Sequence, residues 1–209
     1  MIFALSMMGL LGSLITHSYS AITAFVESYG YIAIFILMAM EASTLPVPSE
    51  VVLPLAGLLA EKGLLNLPII FIAALLGAIV GSMVDYAIGY FIGKDIVYKH
   101  LRLFHIKKES LDNFDIWFEK NGIAAVFFTR LVPVLRTVVN FPAGFAKMNL
   151  KEFLGYSIAG FLIWDTVLLL FGYFLLSANS AVTVMASIGV FAILLYVIYR
   201  VAIRKIKKK

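Results

Sequence analysis

The sequence predicts an all-α integral membrane protein, an inverted repeat of two re-entrant helical hairpins facing each other, accompanied by transmembrane helices. Three observations carry that prediction. Of the 209 residues, 62% are hydrophobic and 14% charged, with a mean hydropathy of +0.99; a soluble domain of this length cannot hide so much apolar surface. Two of the apolar segments are broken by prolines instead of running on as helices. Ionisable residues of complementary sign lie inside the apolar stretches, where they are expensive unless they meet one another or water.

The remaining composition narrows the chemistry. There is no cysteine, which excludes disulfides and thiolate metal sites. The three histidines, His17, His100 and His105, have no ligand spacing such as HExxH, so no metal and no cofactor is expected. The formal net charge of +5 is gathered at helix ends and in one loop. That distribution suits anionic headgroups, and no aromatic-interleaved basic stripe points to nucleic acid.

Residues 1–20 read as a membrane-embedded or interfacial helix, because a signal peptide would carry Lys or Arg ahead of its apolar core. Ala21 to Ala42 is long enough to cross the roughly 30 Å hydrocarbon layer. Next come Pro46 and Pro48, then the run Val51 to Ala60 containing Pro54 and Gly57. At about ten residues this run is too short to cross, so the stretch 43–63 is expected to dip in and return. Leu64 to Gly93 forms the following crossing. Lys94 to Asn121 is hydrophilic and reads as an interfacial segment. A second broken stretch, 122–148, contains Arg130, Pro133, Arg136, Asn140, Pro142 and Gly144. Crossings are expected over Leu150–Leu176 and Ala181–Ile203, before the basic tail 204–209.

Basic ends set the orientation. The tail places the C-terminus in the cytoplasm, with Lys147, Lys151 and the basic loop after Gly93 on the same side. The turn Glu61-Lys62-Gly63 then falls outside. The two broken segments therefore enter from opposite sides, and they share punctuation, Pro54-Leu-Ala-Gly57 against Pro142-Ala-Gly144. Interrupted segments in matching positions of two halves point to a binding site between the repeats.

Six ionisable residues lie in or beside apolar sequence: Glu41, Glu50, Asp85, Arg130, Arg136 and Asp165. Each lone charge at the bilayer centre costs about 2.5–3.5 kcal/mol, so six unpaired ones would cost roughly 15–20 kcal/mol, above typical net stability. Glu41, Glu50 and Asp85 belong to the first half and the arginines to the second, so they are expected to meet at the interface. Glue between hairpins is one role for them. Function is the other, since apolar residues often replace buried ion pairs without loss. Arginine suits bidentate phosphate recognition, which makes Arg130 and Arg136 the candidate phosphate ligands. Glu41, Glu50, Asp85 and Asp165 are the candidates for charge pairing or proton exchange, with Asp85 a prospective arginine partner. Gly77, Gly81, Gly89 and Gly93 flank Asp85 at four-residue spacing, a stripe that lets another helix approach closely.

From about Glu27 to Tyr173 the chain resembles the DedA family, whose fold is also called the VTT or SNARE-associated domain. The most specific part is Phe128-Thr-Arg130-Leu-Val-Pro133-Val-Leu-Arg136 with Pro142-Ala-Gly144. The first-half match is Glu41, Pro46-Val-Pro48-Ser-Glu50, Ala56-Gly57 and the span Gly77 to Gly93. At Tyr90-Phe91-Ile92-Gly93 the sequence departs from the many members that carry an arginine after the glycine. The resemblance implies a 21–203 DedA-like transmembrane domain with facing re-entrant hairpins, in the bacterial cytoplasmic membrane. It implies lipid movement there: a flippase returning undecaprenyl phosphate to the cytoplasmic leaflet, with polyprenyl phosphate and membrane lipids as partners. Proton coupling and oligomeric assembly stay open. A broad phospholipid scramblase or proton-coupled exporter is the alternative on the same fold. A membrane-embedded lipid phosphatase is a further one, although the histidines lack Ser-Gly-His or Arg-x-x-x-x-x-His spacing.

Overall fold

The computed structural model describes residues 20–45, 47–93, 112, 116, 118–132 and 135–175. Expectations for residues 1–19, the three histidines, Pro46, Pro133, the loop 177–180, the crossing 181–203 and the tail 204–209 lie outside those residues, as does most of 94–121.

Residues 20–29 are helical and continue past a turn at Gly30, where φ is 54°, into α1 (Tyr31–Ala42). Only glycine adopts that backbone readily, so the bend sits where the sequence supplies one. Helix is interrupted at Val47 and Pro48, and α2 (Ser49–Glu61) starts directly after Pro48, whose extended ψ of 112° sets it up. Pro54 lies inside α2 and removes one backbone donor from it. The Asn66 side chain caps α3 (Leu67–Ile92) by accepting from the Ile69 N–H at 3.4 Å. At 26 residues α3 is about 39 Å long, enough to cross a bilayer. Gly93, φ 87°, ends it.

The second broken stretch folds as α4 (Ile123–Arg130), α5 (Leu135–Val138) and α6 (Asn140–Phe145). It leads into α7 (Leu150–Leu175), the second helix long and apolar enough to span. Among the described residues every regular element is helical.

The packing is reciprocal. α1 lies along α3, and α2 packs chiefly on α7, while α6 packs on α3 and α4 on α7. Glycines make these approaches close. A Cβ on Gly81 would strike the Ala39 carbonyl, one on Gly57 or Gly172 the backbone where α2 crosses α7, and one on Gly89 or Gly144 the backbone where α6 crosses α3. The glycine stripe on α3 is therefore a packing surface. Both long helices carry a Gly-Tyr-Phe step at these crossings, Gly89-Tyr90-Phe91 and Gly172-Tyr173-Phe174.

Polarity is distributed in reverse of a soluble protein. Ile32, Ile36, Ile72, Leu76, Val80, Val84, Leu170 and Phe174 are exposed, whereas Glu41, Asp85, Arg130, Arg136 and Asp165 are buried. An outer apolar surface and an inner polar centre are what a lipid solvent selects.

Candidate functional site: a buried charge centre

The centre assembles where the broken segments meet α7. The end of α1 supplies Glu41, the start of α2 supplies Ser49 and Glu50, and the second broken stretch supplies Arg130, Arg136 and Asn140. One face of α7 adds Phe153, Ser157 and Phe161 at four-residue spacing, followed by Trp164 and Asp165 three and four residues on.

Arg136 is the ion-paired member. Its Nη2 lies 2.5 Å from Glu41 Oε1 and 3.6 Å from Glu50 Oε1, and it also donates to the Ser49 hydroxyl. The guanidinium sits 4.8 Å from the Trp164 ring, and the indole N–H donates to the same Ser49 oxygen at 3.4 Å. Glu41 is buried, while the Glu50 side chain retains 34% of its exposure. One partner is thus sealed in and the other reaches toward the surroundings.

Arg130 is 1% exposed and faces neutral acceptors. Its Nη2 donates to Asn140 Oδ1 at 2.7 Å and Ser157 Oγ at 2.8 Å, and Nη1 donates to the Arg136 carbonyl. Phe161 and Phe153 lie 4.5 and 5.6 Å from the guanidinium carbon, in cation–π range. Its Nε is buried without a hydrogen-bond partner. Asn140 ties the two halves together, because its Nδ2 donates to the Ala42 carbonyl at 2.9 Å.

The expected meeting of the arginines with first-half acids therefore occurs at Arg136 with Glu41 and Glu50. Among the described residues Asp85 makes no direct ion pair with an arginine: it accepts from the Thr44 hydroxyl, in the turn after α1 where Thr44 has a φ of 59°, and Arg130 acts on it through space. Asp165 is 0% exposed, and neither of its carboxylate oxygens has a hydrogen-bond partner. Arg136 and Glu41 are the charged groups that act on it through space. Proline and glycine markers fall where the backbone turns or crosses: Pro48 before α2, Pro54 and Gly57 against α7, Pro142 and Gly144 in α6. Ser49, Thr44, Asn140, Ser157 and Trp164 were not singled out by sequence; a neutral polar residue or an indole costs too little in an apolar helix to stand out.

An apolar exterior over two helices long and apolar enough to span, with a desolvated arginine–carboxylate centre inside, fits a membrane protein built around an internal polar site. Residues 47–174, more than half of the chain, match the VTT domain model. The chain belongs to this family, the DedA family of membrane proteins. It is 34% identical over 186 residues to undecaprenyl phosphate transporter A of Staphylococcus aureus, covering 87% of this chain and 91% of that one. An alkaline phosphatase-like protein of Lactococcus lactis (strain IL1403) is 32% identical over 152 residues, 70% of this chain and 71% of its own. Protein DedA of Escherichia coli is 30% identical over 158 residues, 71% of each chain. No solved structure gives a significant match.

Proposed function

We propose that this protein is a lipid translocase of the bacterial cytoplasmic membrane that returns undecaprenyl phosphate to the cytoplasmic leaflet for envelope polymer synthesis. The observation that carries the reading is the buried guanidinium pair, in which Arg130 meets neutral acceptors and keeps an unpartnered Nε. A phosphate monoester carries a charge of about −1.5 to −2 and three acceptor oxygens, which two arginines match while the polyprenyl tail stays in lipid. The name of the Staphylococcus aureus relative agrees with that substrate.

Arg136 is held by Glu41, so a phosphate engaging it displaces that carboxylate. A bare carboxylate left in the interior is costly, and taking up a proton relieves it. Glu41 and Glu50 then exchange protons with the cycle, and Asp165, with no donor of its own, is a further proton station. The transport path is framed by the stretches 43–63 and 122–148, read as facing re-entrant hairpins of an inverted repeat within the domain 21–203. The reciprocal crossings and the two Gly-Tyr-Phe steps support that symmetry. Residues 1–20 form the N-terminal membrane-associated helix and 204–209 the cytoplasmic tail. The protein works as a transporter, without metal or cofactor.

The test is leaflet exchange of undecaprenyl phosphate in liposomes holding the purified protein, with and without a pH gradient. Exchange that requires Arg130 and Arg136 and passes over ordinary phospholipids supports the carrier-lipid flippase. Exchange of every phospholipid offered makes it a scramblase, and no lipid exchange at all points to a proton-coupled exporter. The Lactococcus relative's name raises a second reading, phosphate-ester hydrolysis, for which Ser49 beside Arg136 is the nearest hydroxyl. Release of inorganic phosphate in the same liposomes, lost in Ser49→Ala, would favour it.

A further inference from the structure

The end of α3 carries a second feature, separated from the charge centre by the Phe153 ring. Met83, Tyr86, Tyr90 and Phe91, at helical spacing on α3, form one wall of an apolar groove of about 510 Å³. The turn between α6 and α7 forms the other wall, with Lys147 and Leu150. The volume lies in the range of small-molecule sites, about 300–1,000 Å³. Tyr86 fixes the two walls together: its hydroxyl donates to the Met148 carbonyl at 2.5 Å, and its ring stacks on Phe153 at 4.8 Å.

Lys147 is exposed, and its ammonium lies 5.6 Å from the Tyr90 ring centroid. Among the described residues no carboxylate pairs with it. Its backbone has a φ of 49°, a conformation that costs a non-glycine residue strain and that the turn imposes. α3 ends at Ile92 and α7 begins at Leu150, so the groove opens where two membrane-length helices reach the level of the headgroups. An exposed cation at headgroup level above an apolar channel running back along a membrane-length helix has the two-part chemistry of an anionic lipid.

The geometry points to a lipid-binding site here, taking an anionic membrane lipid with its phosphate on Lys147 and one chain along α3. This site stands independently of the transport reading. Charge complementarity chooses the headgroup, and the apolar wall chooses a lipid over free phosphate.

Native mass spectrometry of the full chain in detergent, titrated with dioleoylphosphatidylglycerol, tests it. Lys147→Asn removes the charge and suits the left-handed backbone; about five- to tenfold weaker binding is expected, the scale of one lysine's attraction to an anionic headgroup. Ala87→Phe, which narrows the groove, is expected to weaken binding while Lys147 remains. Dioleoylphosphatidylcholine is expected to bind less tightly, and millimolar inorganic phosphate to compete poorly. Wild-type binding by Lys147→Asn, equal binding of the zwitterionic lipid, or displacement by inorganic phosphate would overturn the proposal. The double variant Glu41→Gln/Arg136→Met, which removes the buried pair without stranding a charge, separates the two readings: it is expected to keep phosphatidylglycerol binding and lose transport, so failure of one leaves the other standing.

Discussion

Arg130 and Arg136 lie six residues apart and are both buried, yet they occupy opposite chemical surroundings. Arg136 has carboxylates, a hydroxyl and an indole face. Arg130 has an amide, a hydroxyl, a backbone carbonyl and two phenyl rings. The first is neutralised by residues of the other half of the chain, and the second is solvated by dipoles. A buried cation held by dipoles keeps its attraction for an incoming anion, whereas one already paired must exchange partners. On the proposed function the two arginines would take different steps, Arg130 attracting the phosphate and Arg136 coupling its arrival to the fate of Glu41.

The largest expected effect comes from breaking the pair. Arg136→Ala leaves Glu41 buried without a counter-charge and should cost about 3–5 kcal/mol, read as a lowered thermal midpoint in detergent. The double variant Glu41→Gln/Arg136→Met should recover much of that loss while remaining inactive; a double variant as unstable as the single one would break the comparison. Next is Arg130→Lys, which keeps the charge but loses the planar fork that reaches Asn140 and Ser157 together. A loss of about 1.5–3 kcal/mol and a drop in phosphate-lipid exchange are expected. Asp165→Asn removes a carboxylate that has no donor, so stability should stay within about 1 kcal/mol. Its exchange assay should lose its response to a pH gradient, and an unchanged response would remove Asp165 from the proton path. The smallest effect belongs to Glu50→Gln, at 3.6 Å and partly exposed. A change of about 0–1 kcal/mol is expected from denaturant midpoints, in keeping with exposed ion pairs.

Much of this centre was legible in the sequence, because a charge inside an apolar stretch announces itself. Glu41, Arg130 and Arg136 were all visible for that reason, and the glycine spacing on α3 announced a close helix contact. Pro48 before α2 and Gly93 after α3 marked helix bounds locally, whereas the break at Gly30 inside the expected crossing Ala21–Ala42 was not read. Partner identity was not legible. Asp85 was expected to meet an arginine; its direct donor is Thr44, with Arg130 acting only through space, since pairing is decided by how the turn after α1 sits against α3. Ser49, Asn140 and Ser157 gave no signal, being inexpensive in a helix and meaningful only beside a guanidinium. One available signal was passed over: a Gly-Tyr-Phe step lies at the backbone crossing of each long helix.

The crossings at Gly57, Gly172, Gly89 and Gly144 place backbone directly on backbone. Such a contact has no interdigitated side chains and so no rotamers to unlock when the elements shift. The four glycines sit on two crossings, and a methyl group added at any one of them would meet a backbone oxygen well inside van der Waals contact, forcing the broken segment off the long helix without touching the charges.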